Sequence, residues 1–143
     1  MSVSTVTLHN SGGSLLITLL ALDSQGAENA PTRNYDAVQP PGSETQGAFG
    51  DGLYQAGVLE REFALCNISA YSTPSHAKRA LEQAVESTAS IRVDGFQLPI
   101  AAAQGITSWF RSGNELRAVI RFIPSSPHWT LIGSGATKVT GLL

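Results

Sequence analysis

The sequence predicts a mainly β domain with one α-helix, an antiparallel β-sandwich or split barrel, and three observations predict it. Apolar residues recur at every second position in several short runs, the period of a strand with one buried face. Glycine-containing turns separate those runs, Asp94-Gly95 and Ser112-Gly113-Asn114 above all, and Asp-Gly between apolar runs is a strong hairpin signal. Only the stretch between Thr73 and Thr88 repeats apolar residues at helical spacing. A chain of 143 residues matches one ordinary domain and can bury a continuous core. A single domain over residues 1–143 is therefore expected.

Taken in order, Thr5-Val6-Thr7-Leu8-His9 alternates β-branched and polar residues and reads as a strand. Asn10 to Ser14 is a turn cluster, and Leu15 to Leu22 is a second strand that forms a hairpin with the first. That second run is apolar on both faces, which suggests burial between the core and a neighbouring layer or subunit. Residues 23–52 break every pattern with Asp23-Ser24-Gln25-Gly26, Pro31, Pro40-Pro41-Gly42 and the glycines of 47–52. A connection this long is uncommon in a compact domain. It reads as an excursion that orders against a partner, or as a surface loop, with one short strand near Asn34 to Val38.

From Gly57 to Ser69 a long strand is expected, with Leu59, Arg61, Phe63 and Leu65 on one face and Glu60 and Glu62 on the other. The helix follows. Thr73 or Ser75 supplies its N-cap and Pro74 suits its first position. Ala77, Ala80, Leu81, Ala84 and Val85 form a narrow apolar stripe, small enough for close packing on a sheet. Next come a hairpin of Ser90–Val93 and Phe96–Ile100, and a second of Ile106–Arg111 and Glu115–Ile123. In the last strand Leu116, Ala118, Ile120 and Phe122 face one way, and Glu115, Arg117, Val119 and Arg121 the other. Pro124 and Pro127 end it, and short strands are expected at Trp129–Ile132 and Lys138–Leu143.

Composition excludes several functions. Charged residues are 14% of the chain against a usual value of about 25%, so neighbouring subunits are expected to cover part of its surface. Nine basic and eleven acidic residues leave a formal charge of −2, with no Lys/Arg cluster. The electrostatic footprint of a nucleic-acid binder is missing, although a duct through which DNA slides tolerates this balance. Cys66 is the only cysteine, which rules out an intrachain disulfide and a thiolate zinc site. Its apolar surroundings predict a small buried hydrophobe. No signal peptide is visible, and the run Leu15–Leu22 is too short to span a bilayer. A soluble protein made in a cytoplasm, with no membrane partner, is expected.

The search for chemistry predicts no catalytic, cofactor or metal site, and no enzyme. His9, His76 and His128 belong to no metal-binding spacing and read as surface or capping residues. No G-x-S-x-G elbow occurs. Gly133 to Lys138 lacks the order of a phosphate loop and reads as a glycine-rich turn before a final strand. Glu60 and Glu62 form a paired-carboxylate pattern, more commonly just an exposed strand face. Asn67-Ile68-Ser69 matches a glycosylation acceptor but falls within the expected strand.

One resemblance gives positive content. The long strand with its small-residue turn, Glu60 to Ser72, precedes a helix carrying Lys78, Arg79, Leu81 and Val85. The hairpin Val93-Asp94-Gly95-Phe96 follows, then a strand ending in Phe122-Ile123-Pro124-Ser125-Ser126-Pro127-His128-Trp129. In this order of elements, residues 59–129 are similar to the N-terminal ring-forming domain of phage distal tail proteins, and more loosely to other tail-tube proteins. The resemblance covers about half the chain. It implies a virion structural protein of the tail, assembled in the bacterial host cytoplasm without cofactor. Its copies would form a hexameric ring between the tail tube and the tip, hub or baseplate proteins, with DNA only in transit through the lumen. Longer relatives carry a second, carbohydrate-binding-like domain for which 143 residues leave no room, so a direct receptor role does not follow. The alternative from another class is a monomeric β-sandwich module for a ligand or carbohydrate, with Tyr54, Trp109, Phe110 and Trp129 as its candidate aromatic platform.

Overall fold

The computed structural model describes residues 3–22, 36–42, 44–50, 57–66, 68–139 and Leu143. Tyr54, Asn67 and much of the 23–52 excursion lie outside them. The described strands are β1 (Val3–His9), β2 (Leu15–Leu22), β3 (Asp36–Val38), β4 (Gly47–Phe49), β5 (Leu59–Cys66), β6 (Ser90–Val93), β7 (Phe96–Ser112), β8 (Glu115–Pro124), β9 (Trp129–Leu131) and β10 (Ser134–Val139). A 3-10 turn at Ile68–Ala70 and the helix α1 (Pro74–Glu86) separate β5 from β6. The chain is mainly β with one helix among these residues.

Six of the strands close on themselves. The order β7-β6-β1-β2-β5-β8 returns to its start through a β7–β8 pairing, and every pairing is antiparallel. The sheet is a closed six-stranded antiparallel barrel. Period-two alternation drives the closure, because each strand has one apolar face to bury. Along β8 half-buried and buried residues alternate without a break, as its sequence predicts. Facing it in register, Leu59, Arg61, Phe63 and Leu65 of β5 lie opposite Phe122, Ile120, Ala118 and Leu116. The rings of Phe63 and Phe122, both fully buried, meet edge to face at 6.3 Å. Arg61 shares this inner face and is also buried.

Turn chemistry sets the registers. Asp94 and Gly95 both have positive φ, 50° and 82°, the backbone of a type I′ turn. At the β7–β8 turn Gly113 has φ 59°, a value glycine adopts without steric cost. The β1–β2 turn is held by Asn10, whose Oδ1 accepts from the backbone N–H groups of Gly12 (3.0 Å) and Ser14 (2.9 Å).

The helix starts where its cap dictates. Thr73 is the N-cap, its hydroxyl accepting from the His76 backbone N–H at 3.1 Å, and Pro74 takes the first helical position. Ala77, Leu81, Ala84 and Val85 are buried in the same cluster as the inner faces of the strands. β2 and β5 pair only at Leu20–Ala64 and Ala21–Phe63. The helix packs on β7, β2 and the 3-10 turn.

The structure corrects several expectations. Phe96–Ile100 and Ile106–Arg111 belong to one strand of 17 residues. Pro99 and Gly105 do not break it: Pro99 pairs with Ser90 of β6, and Gly105 lies among register shifts in the pairing with β8, between Ile100 and Ala102, Ala103 and Gly105, and Ile106 and Ser108. The strand from Gly57 ends at Cys66, and Ile68 and Ser69 lie in the 3-10 turn. Ser134–Val139 is itself a strand, paired with β9 across a register break between Ser134 and Lys138. A second short strand, β4, arises within the glycine-rich stretch and pairs with β3 through Asp36–Phe49, Ala37–Ala48 and Val38–Gly47.

Candidate assembly surfaces

The residues singled out for chemistry do not converge. His9 is buried at the end of β1, where Nδ1 lies 3.2 Å from the Gly13 carbonyl oxygen and Nε2 lies 2.9 Å from the Thr7 hydroxyl. It fastens the first hairpin turn, a buried role where a surface one was expected. His76 sits exposed in the first turn of α1, its Nδ1 2.8 Å from the Ser72 hydroxyl. His128 is half-buried in the turn after β8, where its backbone N–H donates to the Ser126 hydroxyl at 3.2 Å. Among the described residues no three His, Cys, Asp or Glu side chains cluster to hold a metal ion. Among the same residues no helix is long and apolar enough to cross a membrane.

Cys66 is exposed, against the expectation of a buried thiol. Alternation along β5 explains it, since Leu65 faces the core and Cys66 points outward opposite Glu115. Glu60 and Glu62 share that outer face. The Glu60 carboxylate lies 3.8 Å from the guanidinium of Arg121 across the strands, and Arg117 pairs with Glu115 at 3.3 Å. These carboxylates belong to a solvated ion-pair lattice on the outside of the barrel.

The candidate aromatic platform is dispersed. Trp129 is buried in the core at 3% exposure. Trp109 and Phe110 are neighbours on β7, so they point to opposite faces of the sheet. Trp109 is half-buried beneath the Lys78 ammonium, 4.7 Å from the ring centroid, whereas Phe110 is 44% exposed near Arg117. Shallow depressions of about 200 and 210 Å³ flank Trp109, one beside Glu82, Glu86 and Gly105, the other beside Lys78 and Arg111. A third, of about 270 Å³, lies at the start of α1 beside His76 and Arg79.

Three features lie outside the closed core. The first is the far edge of β7. Beyond Ile100 this strand pairs with β8 alone among the described residues. The second is the β3–β4 ribbon. No other described element packs substantially on it, and every side chain described between Ala37 and Gly50 is exposed. The third is the outer side of β2, where Leu15 is 58% exposed and Leu16 and Leu20 are half-buried. Sequence patterning signalled the third as an apolar run on both faces. It could not signal the first two, which depend on which strands find partners.

The chain matches no family model, no curated protein and no solved structure.

Proposed function

We propose that the chain is a structural subunit of a phage tail or tail tip. Its copies close into a ring, a hexamer by the likeness to distal tail proteins, that joins the tail tube to the distal tip or baseplate and leaves a passage for DNA. It is made in the host bacterial cytoplasm and acts in the virion by self-assembly, without catalysis. Its barrel is then of the tail-tube type.

The observation that carries this reading is a closed barrel with unfilled β structure on its outside. Among the described residues, one long strand keeps an edge without a partner strand, and a two-stranded ribbon packs on no other element substantially. A lone monomer has to protect such edges. Head-to-tail contacts that close on rotation cover them instead. The order β5, α1, β6, β7, β8, with Pro124 and Trp129 after the last, follows the pattern on which the resemblance was drawn.

The test is the oligomeric state of the full chain. Negative-stain images of the purified protein are expected to show rings of one size with a central hole, and light scattering a single discrete oligomer. A monomer that persists at high concentration overturns the proposal. The depressions beside Trp109 favour a second reading, a monomeric ligand- or carbohydrate-binding module. A glycan-array signal from the monomer, abolished by Trp109→Ala, would establish that reading in place of the first.

A further inference from the structure

We propose that the exposed face of α1 pairs, antiparallel and about a two-fold axis, with the same face of a second copy. The contact goes beyond the ring reading, because a two-fold pair joins two copies, or two rings face to face, and closes no ring.

The helix carries its charges in an order that does not serve the helix itself. Lys78 and Arg79 precede Glu82 and Glu86, with no acid in the first turn and no base in the last. Helix ends favour the opposite arrangement, acid at the start and base at the finish. Lys78 before Glu82 is also the weaker order for a pair one turn apart. Lys78 turns instead to the ring of Trp109, at 4.7 Å. Among the described residues, Arg79, Glu82 and Glu86 enter no ion pair. A charge pattern that breaks a local rule without a local gain points to a contact outside the chain.

The pattern matches itself when turned end for end. Ala77, Leu81, Ala84 and Val85 bury the inner face of the helix, while Arg79, Glu82, Gln83 and Glu86 are all exposed. Those four recur at the spacing of residues that share one helix face. A two-fold axis between Glu82 and Gln83 sets Arg79 of each copy against Glu86 of the other. It also sets Glu82 against Gln83 of the second copy, whose amide can donate to the carboxylate. The two helix fields then run in opposite directions, so each positive end faces a negative one. Any other partner would have to bring the same order of charges at the same spacing, and a second copy brings it by rotation. Arg79 rims the depression beside His76, and Glu82 and Glu86 rim the one beside Gly105, so both ends of the face are open. One helix pair is small for a stable interface, and rings stacked face to face multiply it through avidity.

Cross-linking reads the axis directly. In a Cys66→Ser background, Gln83→Cys is expected to give a disulfide-linked dimer on mild oxidation, because its two copies meet beside the axis. Arg79→Cys is expected not to link to itself, since its copies lie about 10 Å apart along the helices. Mixed with chains carrying Glu86→Cys, it is expected to link to them. Ser11→Cys, exposed in the β1–β2 turn, measures chance collision. Adding Arg79→Glu or Glu86→Arg to the Gln83→Cys chain is expected to cut the yield about tenfold, because like charges then face one another. Adding both is expected to restore it. Circular dichroism of each variant checks that the barrel still folds. A Gln83→Cys yield no higher than that of Ser11→Cys, and indifferent to the charge changes, overturns the contact; rings seen alongside it leave the ring reading standing. A cross-linked dimer without rings supports the contact and overturns the ring.

Discussion

β7 and β8 are the two arms of one hairpin, yet they meet opposite fates. β8 is paired along both edges, by β5 and by β7, and its inner residues are all buried. β7 starts in the same way, held by β6 and β9, then runs on from Ile100 paired, among the described residues, with β8 alone. Its final third carries the exposed Phe110 and the half-buried Trp109. The difference teaches that the burial of an apolar side chain follows from how its strand is flanked. On β8 such side chains fill the core. On the last part of β7 Trp109 packs half-buried against the core and Phe110 stays exposed.

Two phenylalanines put this contrast to the hardest test. Phe122→Ala removes a fully buried ring packed on Phe63, and should cost about 3–5 kcal/mol in urea unfolding of the monomer. Phe110→Ala, on the neighbouring strand, should shift the same midpoint by no more than about 0.5 kcal/mol. Equal costs would break the comparison.

Smaller effects sharpen it. Gly95→Ala strains a position with φ 82° in the turn that aims β7, and should cost about 1–2 kcal/mol, visible as a lowered Tm. The Thr73→Ala variant removes the cap of the helix lying on β7. It is expected to cost about 1 kcal/mol, read by chemical denaturation, with Thr73→Ser recovering most of it.

Much of the architecture was legible because its signals are local. The caps at Thr73 and Pro74, the Asp94-Gly95 turn and the alternation of Leu116, Ala118, Ile120 and Phe122 each depend on a few adjacent residues. Errors came where a neighbour decided the outcome. Pro99 and Gly105 look like breakers in isolation, but β6 pairs at Pro99 and β8 pairs through Gly105 by shifting register. Cys66 sits in an apolar run, yet it follows the last inward residue of β5 and faces solvent.

The sequence by itself determined the β-plus-one-helix composition, the faces of β5 and β8, the helix stripe and the absence of a local catalytic motif, because period and turn chemistry act over a few residues. Only the tertiary structure decided that six strands close into a barrel. It also decided that β7 beyond Ile100 pairs, among the described residues, with β8 alone, and that β3 pairs with β4. Those outcomes turn on long-range strand pairing, in which each edge is satisfied or left open according to what the rest of the chain brings beside it.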